Sequence, residues 1–548
     1  MKKIVLIAAM LFGIMGISNS QISESVTDAS YLNLNKPERM EWFKGLGFGM
    51  FIHFSFDSQL GVVISHSMVG ASEDYLNRFV NELPKSFNPK DFNPAEIASL
   101  AKLAGMKYIV FTTKHHSGFC MWDTKTTDFK ITNTPYNKDL LSEYVKAVKE
   151  EGLAVGFYYS PEDFNFLYKN KQVITRDLSQ PLPADVMKKY LAFLEMQCSE
   201  LMTGYGPVDV VFLDGGEGPL QEKCKEVVWK LQPNVVITRG AIKTPEQRVA
   251  GVISHEPWEA CITMGTQWAF KPTNEEYKSA ARLIEILIET RAKGGNLLLN
   301  IGPKPNGQVP LEQEYNLMEM AAWNFINHEA VTNVSPWIVA NEGDIWYTYK
   351  PQEKTLYAIL TKNPDWPRGA RKEFILQSIK AGPKTKIEVL GQTGKVVEYQ
   401  PATDGTTRFE QQEQGLMVSC VRAQRIYNNH QWHNPIILKI TNAEPALKPP
   451  VVQTLDAEIN ANGVHFKGEL LDPGDGRSLK GGFQYRKYPG FVEELYIEEW
   501  KETPLMDISK GNFSVIPDLI KGNTVYQVRS FVEHPKLRVY GEILNIKY

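Results

Sequence analysis

The chain has 548 residues, 60 Lys+Arg against 63 Asp+Glu, and a formal net charge of −3. Near-neutral charge excludes a protein that binds nucleic acid by neutralising phosphates, and a content of 43% hydrophobic and 11% aromatic residues excludes wholesale disorder. At about 150 residues per domain the length allows three or four units, or fewer if one is a large barrel.

Lys2 and Lys3 precede an uncharged apolar run, Ile4 to Ile17, followed by small polar residues ending at Ser20. That pattern reads as a secretion signal over residues 1–20. The run is too short for a comfortable membrane span, and no later segment is long and apolar enough for one. The expectation is an exported, soluble protein, periplasmic or extracellular. Cys120, Cys198, Cys224, Cys261 and Cys420 are scattered, odd in number and without CxxC spacing. This argues against a disulfide framework and against a cysteine zinc site.

From about residue 40 to 330, short apolar runs alternate with helix-like stretches. Strands are expected at Gly47–Phe54, Tyr108–Thr112, Leu153–Tyr159, Val208–Leu213, Val235–Thr238, Gly251–Ser254 and Leu297–Ile301. Amphipathic stretches lie between them at Pro94–Ala104, Lys138–Glu151, Ala184–Thr203 and Asn274–Ala292. Successive apolar residues, as in Val210 to Leu213, suit strands covered on both faces. Repeated β-then-α units predict an α/β fold, a (β/α)8-like TIM barrel over residues 21–334. A doubly wound sheet is the runner-up, but no GxGxxG follows the first strand. Beyond residue 334, short alternating segments (Trp346–Tyr349, Thr355–Thr361, Ile387–Leu390) separated by turn residues predict an all-β sandwich over 335–446. After a linker at Pro445–Pro450, the segments Gly463–Leu471, Gly482–Tyr488 and Val525–His534 predict a second sandwich, immunoglobulin or fibronectin III-like, over 447–548.

In a barrel, functional side chains gather where strands end. His53 follows the first strand, His115, His116 and Trp122 the second, Tyr158 and Tyr159 the third, Asp214 the fourth and Arg239 the fifth. His255, Glu256, Trp258 and Glu259 follow the expected sixth. Taken singly, a strand-end His is most often a hydrogen-bonded core residue, a ring is packing, and an Asp is a turn or cap. Adjacent residues on an extended segment point to opposite sides, and no carboxylate-linked ligand pattern accompanies His115 and His116, so no metal and no cofactor are expected. The bland readings leave unexplained a row of strand ends carrying groups suited to a polyol. Hydrolysing a glycoside needs two carboxyl groups. Asp214, beside two glycines, fits a nucleophile with room for a sugar. Glu259, between Trp258 and apolar residues, fits a general acid whose pKa burial would raise. The His, Tyr and Trp side chains supply hydroxyl contacts and a stacking face.

The segments EWFKGLGFGMFIHF, KYIVFTTKHHSGFCMWDT, GFYYSPEDF, DVVFLDGG, HEPWEACITMGTQW and AKGGNLLLNIGPKPNGQVP resemble glycoside hydrolase family 29, the α-L-fucosidases, over roughly residues 38–330. The resemblance implies an exo-acting, retaining enzyme that removes terminal α-L-fucose from a fucosylated oligosaccharide or glycoconjugate by double displacement. It implies a barrel-like catalytic domain followed by a β-sandwich. Asp214 would be the nucleophile and Glu259 of WEAC the acid/base, with Glu256 a second candidate because that loop varies. His53, His115, His116 and Tyr158 or Tyr159 would bind the sugar, with Trp122, Arg239 and Trp258 candidates beside them. Where many relatives carry a Trp-containing segment, the loop after the first strand here reads GVVISHSMVGASEDY, which leaves the linkage open and makes His66 a candidate. The alternatives are an exo-glycosidase of another specificity, such as an α-galactosidase, and an inactive sugar-binding protein; the presence of both carboxylates argues against the latter.

Overall fold

The computed structural model describes residues 32–547, apart from 62–63, 176–180, 364, 425–433, 461–462, 489–497 and 518–523. The expected secretion signal lies outside the described residues. Seven strands form one curled parallel sheet: β1 (Phe48–Ile52), β2 (Tyr108–Lys114), β3 (Ala154–Tyr159), β4 (Val210–Leu213), β5 (Val236–Ile237), β6 (Glu259–Thr263) and β7 (Asn296–Ile301). Their order is β5-β4-β3-β2-β1-β7-β6, and every pairing is parallel. The helices are α1 (Pro37–Leu46), α2 (Glu73–Asn81), α3 (Pro94–Leu103), α4 (Leu140–Glu150), α5 (Phe164–Lys169), α6 (Ala184–Gly204), α7 (Pro219–Leu231), α8 (Ala280–Ala292) and α9 (Leu311–Asn327). This is a TIM-barrel-like domain.

Burial on both faces of each strand sorts side chains into two layers by their two-residue period. Phe51, Val110, Tyr158, Phe212, Val236, Cys261 and Leu298, one from each strand, pack together inside the barrel. Their neighbours Ile109, Phe111, Val155, Phe157, Val211 and Leu213 turn outward to meet Leu141, Tyr144, Leu194 and Leu287 of the helices. Helix starts are set by capping side chains that accept orphan backbone N–H groups: Asn93 for α3, Asp139 for α4, Asp163 for α5 and Ser279 for α8. The Ser279 cap starts α8 six residues later than the stretch expected from Asn274.

No ladder joins β5 to β6 among the described residues. Residues 243–247 occupy that gap, running parallel to β6 with bridges Lys243↔Trp258 and Glu246↔Cys261. Glu259 N–H donates to Lys243 O at 3.0 Å, Cys261 N–H to Pro245 O at 3.1 Å and Gln247 N–H to Cys261 O at 2.9 Å. Toward β5 the join includes a side chain, Arg239, whose Nε donates to Thr244 Oγ1 at 3.2 Å.

The expected strand Gly251–Ser254 is bends and coil, and the sixth strand lies further on, at Glu259–Thr263. The apolar run 250–253 is not a stave of the barrel. Instead a Cβ on Gly251 would meet Ile543 N at 3.0 Å, so this run abuts the C-terminal sheet region.

Beyond the barrel the chain is antiparallel β. Between Ser335 and Pro445, a five-stranded and a three-stranded sheet enclose Trp337, Tyr347, Trp366 and Leu416. From Val451 onward, a three-stranded and a six-stranded sheet enclose Phe466, Phe483, Phe513 and Val528. Among the described residues no helix is long and apolar enough to cross a membrane. The five cysteines are buried free thiols.

Candidate active site

Asp214 follows β4, where Gly215 (φ 76°) and Gly216 (φ 67°) carry the chain through the left-handed region. A Cβ on Gly215 would stand 2.8 Å from the Glu162 carboxyl carbon, so the turn needs glycine twice over. Arg239 Nη1 donates to Asp214 Oδ1 at 2.8 Å and Tyr158 Oη donates to Oδ2 at 2.8 Å. His116 Nε2 lies 3.6 Å from Oδ2. Burial alone would raise this carboxyl, but the charge of Arg239 and the neighbouring His116 and His115 outweigh it and hold Asp214 well below the usual carboxylate range.

His53, His115 and His116 form one wall. Alternation along a strand does not reach the pair, because β2 ends at Lys114 and the chain turns, Gly118 N–H donating to His115 O at 3.0 Å. Their rings stand 4.3 Å apart at 65°. Each Nδ1 meets an oxygen: Asn300 Oδ1 at 2.7 Å for His53, Ser65 Oγ at 2.9 Å for His115, and Ser160 Oγ at 2.6 Å for His116, with Glu162 Oε2 at 3.2 Å. The Nε2 edges of His53 and His115 are thereby left for a ligand hydroxyl, while His116 Nε2 faces Asp214. Burial lowers His53 to about 4, against a raising hydrogen bond from Asn300. Burial and then His116 push His115 well down, so both rings are neutral near pH 7.

His115, His116 and Asp214 offer atoms within 4.8 Å of one another, a spacing that invites a cation. The Asp214 charge, however, is already matched by Arg239, and a dication there would face that guanidinium.

A second carboxylate stands across the same guanidinium. Glu246 Oε2 is 3.0 Å from Arg239 Nη1, the nitrogen that also binds Asp214, which puts those two oxygens within roughly 5.8 Å of each other. Glu246 Oε1 accepts from Trp268 Nε1 at 3.1 Å. The Trp268 ring lies 4.8 Å from the His53 ring at 34°. Both carboxylates are reached by solvent, with side-chain exposures of 16% for Asp214 and 22% for Glu246.

The structure thus brings together His53, His115, His116, Tyr158, Asp214 and Arg239, and adds Glu246, Trp268 and Asn300. It does not bring Glu259 to them. Glu259 opens β6, paired with Asn296 at the start of β7, so it lies at the N-terminal end of the sheet whereas Asp214 follows a C-terminal end. It is fully buried, accepts from Tyr108 Oη, and burial raises its carboxyl to about 7. The raised carboxyl is present, at the wrong end of the barrel. Glu256 precedes β6 at that same end and is exposed, beside Ser254, whose N–H donates to Lys293 O just past α8. Trp258 Nε1 donates to Lys293 O at 3.3 Å. All three were expected at the site because an apolar run at 251–254 stood in for the sixth strand. His255 is likewise exposed just ahead of β6.

Trp122 and Tyr159 face the helical layer, donating to Glu200 Oε2 at 3.0 Å and Gln197 Oε1 at 2.7 Å, both on α6. Tyr158 and Tyr159 alternate on β3, so only Tyr158 enters the barrel. Glu246 was legible only as a carboxylate seven residues past Arg239, and Trp268 as the ring that follows the true sixth strand.

Comparison with known proteins gives one consistent result. The family profile described as Alpha-L-fucosidase matches residues 15–329. Plasma alpha-L-fucosidase of Rattus norvegicus is 28% identical over 408 residues, covering 66% of this chain and 85% of that protein. Alpha-L-fucosidase of Branchiostoma floridae is 30% identical over 393 residues, covering 64% and 84%. Among solved structures, alpha-L-fucosidase isoenzyme 1 of Paenibacillus thiaminolyticus superposes with a TM-score of 0.60 at 28% identity, covering 74% of this chain and 99% of that one.

Proposed function

Since the chain belongs to the α-L-fucosidase family, glycoside hydrolase family 29, we propose that it releases terminal α-L-fucose from fucosylated glycans with Asp214 as nucleophile and Glu246 as acid/base. The observation that carries this assignment is the single Arg239 nitrogen bracketed by the two carboxylates. The shared nitrogen keeps the nearest oxygens of the pair within roughly 5.8 Å, which accommodates the separation of about 5–5.5 Å found in retaining enzymes.

Asp214 holds the Arg239 and Tyr158 donors with His116 beside it, and stays charged. Glu246 stands across the same guanidinium and accepts from the Trp268 indole N–H. In the first step an Asp214 oxygen attacks the anomeric carbon of fucose, the glycosidic C–O bond breaks, and Glu246 gives its proton to the departing oxygen. Glu246, having given its proton to the departing oxygen, now serves as base. It then takes a proton from water as the hydroxide attacks the same carbon and frees Asp214. His53 and His115, neutral and hydrogen-bonded through Nδ1, read sugar hydroxyls with Nε2, His116 stands between Ser160 and Asp214, and Trp268 supplies an apolar ring beside His53.

The uncharged substrate accords with a chain of net charge −3, and the pattern of residues 1–20 supports export to the periplasm or beyond. The test is to follow the first-formed product by NMR and to titrate Asp214→Asn with an aryl α-L-fucoside. Retained anomeric configuration and turnover reduced by about 10⁴ or more with an unchanged circular dichroism spectrum are expected. Inverted product, or an active Asp214→Asn, would overturn the assignment.

A further inference from the structure

The loop between β1 and α2 brings a buried serine to the site, with the His66 ring beside His116. Ser65 has φ 63°, a left-handed backbone that suits glycine and strains other residues. Its N–H donates to Asp57 Oδ2 at 2.7 Å, Asp57 being buried in the turn just after β1. Its hydroxyl lies 2.9 Å from His115 Nδ1. The His115 ring in turn lies flat against Tyr158, centroids 5.2 Å apart at 4°, and Tyr158 Oη donates to Asp214.

We propose that Ser65, seated by Asp57, is a positioning residue for fucosyl transfer: it fixes the plane and the free Nε2 edge of His115 and, through the stacked Tyr158, the aim of Asp214. The inference rests on the reading of Asp214 as nucleophile. A glycine would make the same turn without strain, so the turn does not explain the serine. What the strain retains is a hydroxyl opposite an imidazole whose other edge faces the pocket. The imidazole needs such a partner, because a buried ring with no bond at Nδ1 is free in both tautomer and orientation.

The experiment is a double-mutant cycle on the full-length enzyme with an aryl α-L-fucoside: wild type, Ser65→Gly, His115→Ala and the double variant. Ser65→Gly keeps the left-handed turn and removes only the hydroxyl. It is expected to lower kcat tenfold or more at an unchanged or higher Tm, and to cost nothing further once His115 is Ala. Wild-type kcat/KM in Ser65→Gly, or a loss that multiplies with that of His115→Ala, would overturn the proposal. Should Ser65→Gly fail to fold, Asp57→Asn replaces it in the cycle, with a smaller kcat loss expected that also disappears in His115→Ala. A wild type inert on every α-L-fucoside would instead overturn the fucosidase reading itself.

Discussion

Asp214 is mostly and Glu259 wholly withdrawn from water, and desolvation pushes both carboxyls upward; what surrounds them decides their opposite states. Asp214 faces a guanidinium, a phenol and two imidazoles and stays ionised. Glu259 has a phenol and a threonine hydroxyl with a more distant Arg239, and its carboxyl sits near 7. Three consequences can be measured. Removing the acid should spare a substrate with a good leaving group and cripple a natural glycan. Glu246→Ala is expected to lose about 10²–10⁴ in kcat on an oligosaccharide, far less on an activated aryl fucoside, and to be partly rescued by azide. Glu259→Ala should show no azide rescue, and rescue there in place of Glu246→Ala would reverse the assignment. The third concerns stability. Between the unfolded carboxyl pKa of about 4.5 and the folded value of about 7, the folded state holds a proton that the unfolded chain has lost. Stability contributed by Glu259 is therefore full below the lower value and falls as pH rises through that window, by up to about 3 kcal/mol. Denaturant titrations across that window should show the fall in wild type and a flatter line in Glu259→Gln. At this scale the sequence placed Asp214, Arg239 and the three histidines correctly at strand ends. It misjudged Glu259 because a buried, ring-flanked carboxylate looks the same at either end of a strand.

Elements differ in how plainly their residues announce them. β1 to β4 and β7 are runs of apolar residues longer than a turn of helix could hide, and all were expected within a few positions. β6 reads EACIT, polar at both ends, and the stretch at 251–254 drew the expected strand away from it. Residues 243–247 carry Lys, Thr, Pro, Glu and Gln and have no apolar period at all; only their hydrogen bonds to β6 make them a stave. The turn after β4 was legible as two glycines, and its geometry explains them. Gly215→Ala must place a Cβ at φ 76° and 2.8 Å from the Glu162 carboxyl. A loss of about 1–3 kcal/mol in thermal or chemical unfolding is expected, together with a fall in kcat because Glu162 also braces His116. An unchanged Tm and kcat would show that the turn has another way to close.

On the scale of the whole molecule, the barrel and the antiparallel sheets after it were expected from the change in texture near residue 334. What texture could not tell is where the last sheets touch the rest. They meet the barrel at Gly251, beside Ile543 and Glu542, in the connection leading to β6 and away from Asp214. Truncation after residue 446 should therefore lower Tm while leaving KM for a small aryl fucoside within about twofold, since surface loss without site contact changes stability alone. The gap between β5 and β6 has a wider consequence. Ladders of main-chain bonds tie β1, β2, β3, β4 and β7 on both sides, so lengthening one of them means unzipping a neighbour. The stave that bears Glu246 is zipped to β6 alone, and the connection behind it has no ladder of its own, being held by the Ser254 N–H on Lys293 O and by the contact beside Ile543. The barrel thus has a built-in splice point: on the proposed assignment, re-cutting the connection at 248–257 would bring Glu246 to differently shaped departing groups, while Asp214, Arg239 and the histidines stay on staves that the cut leaves alone.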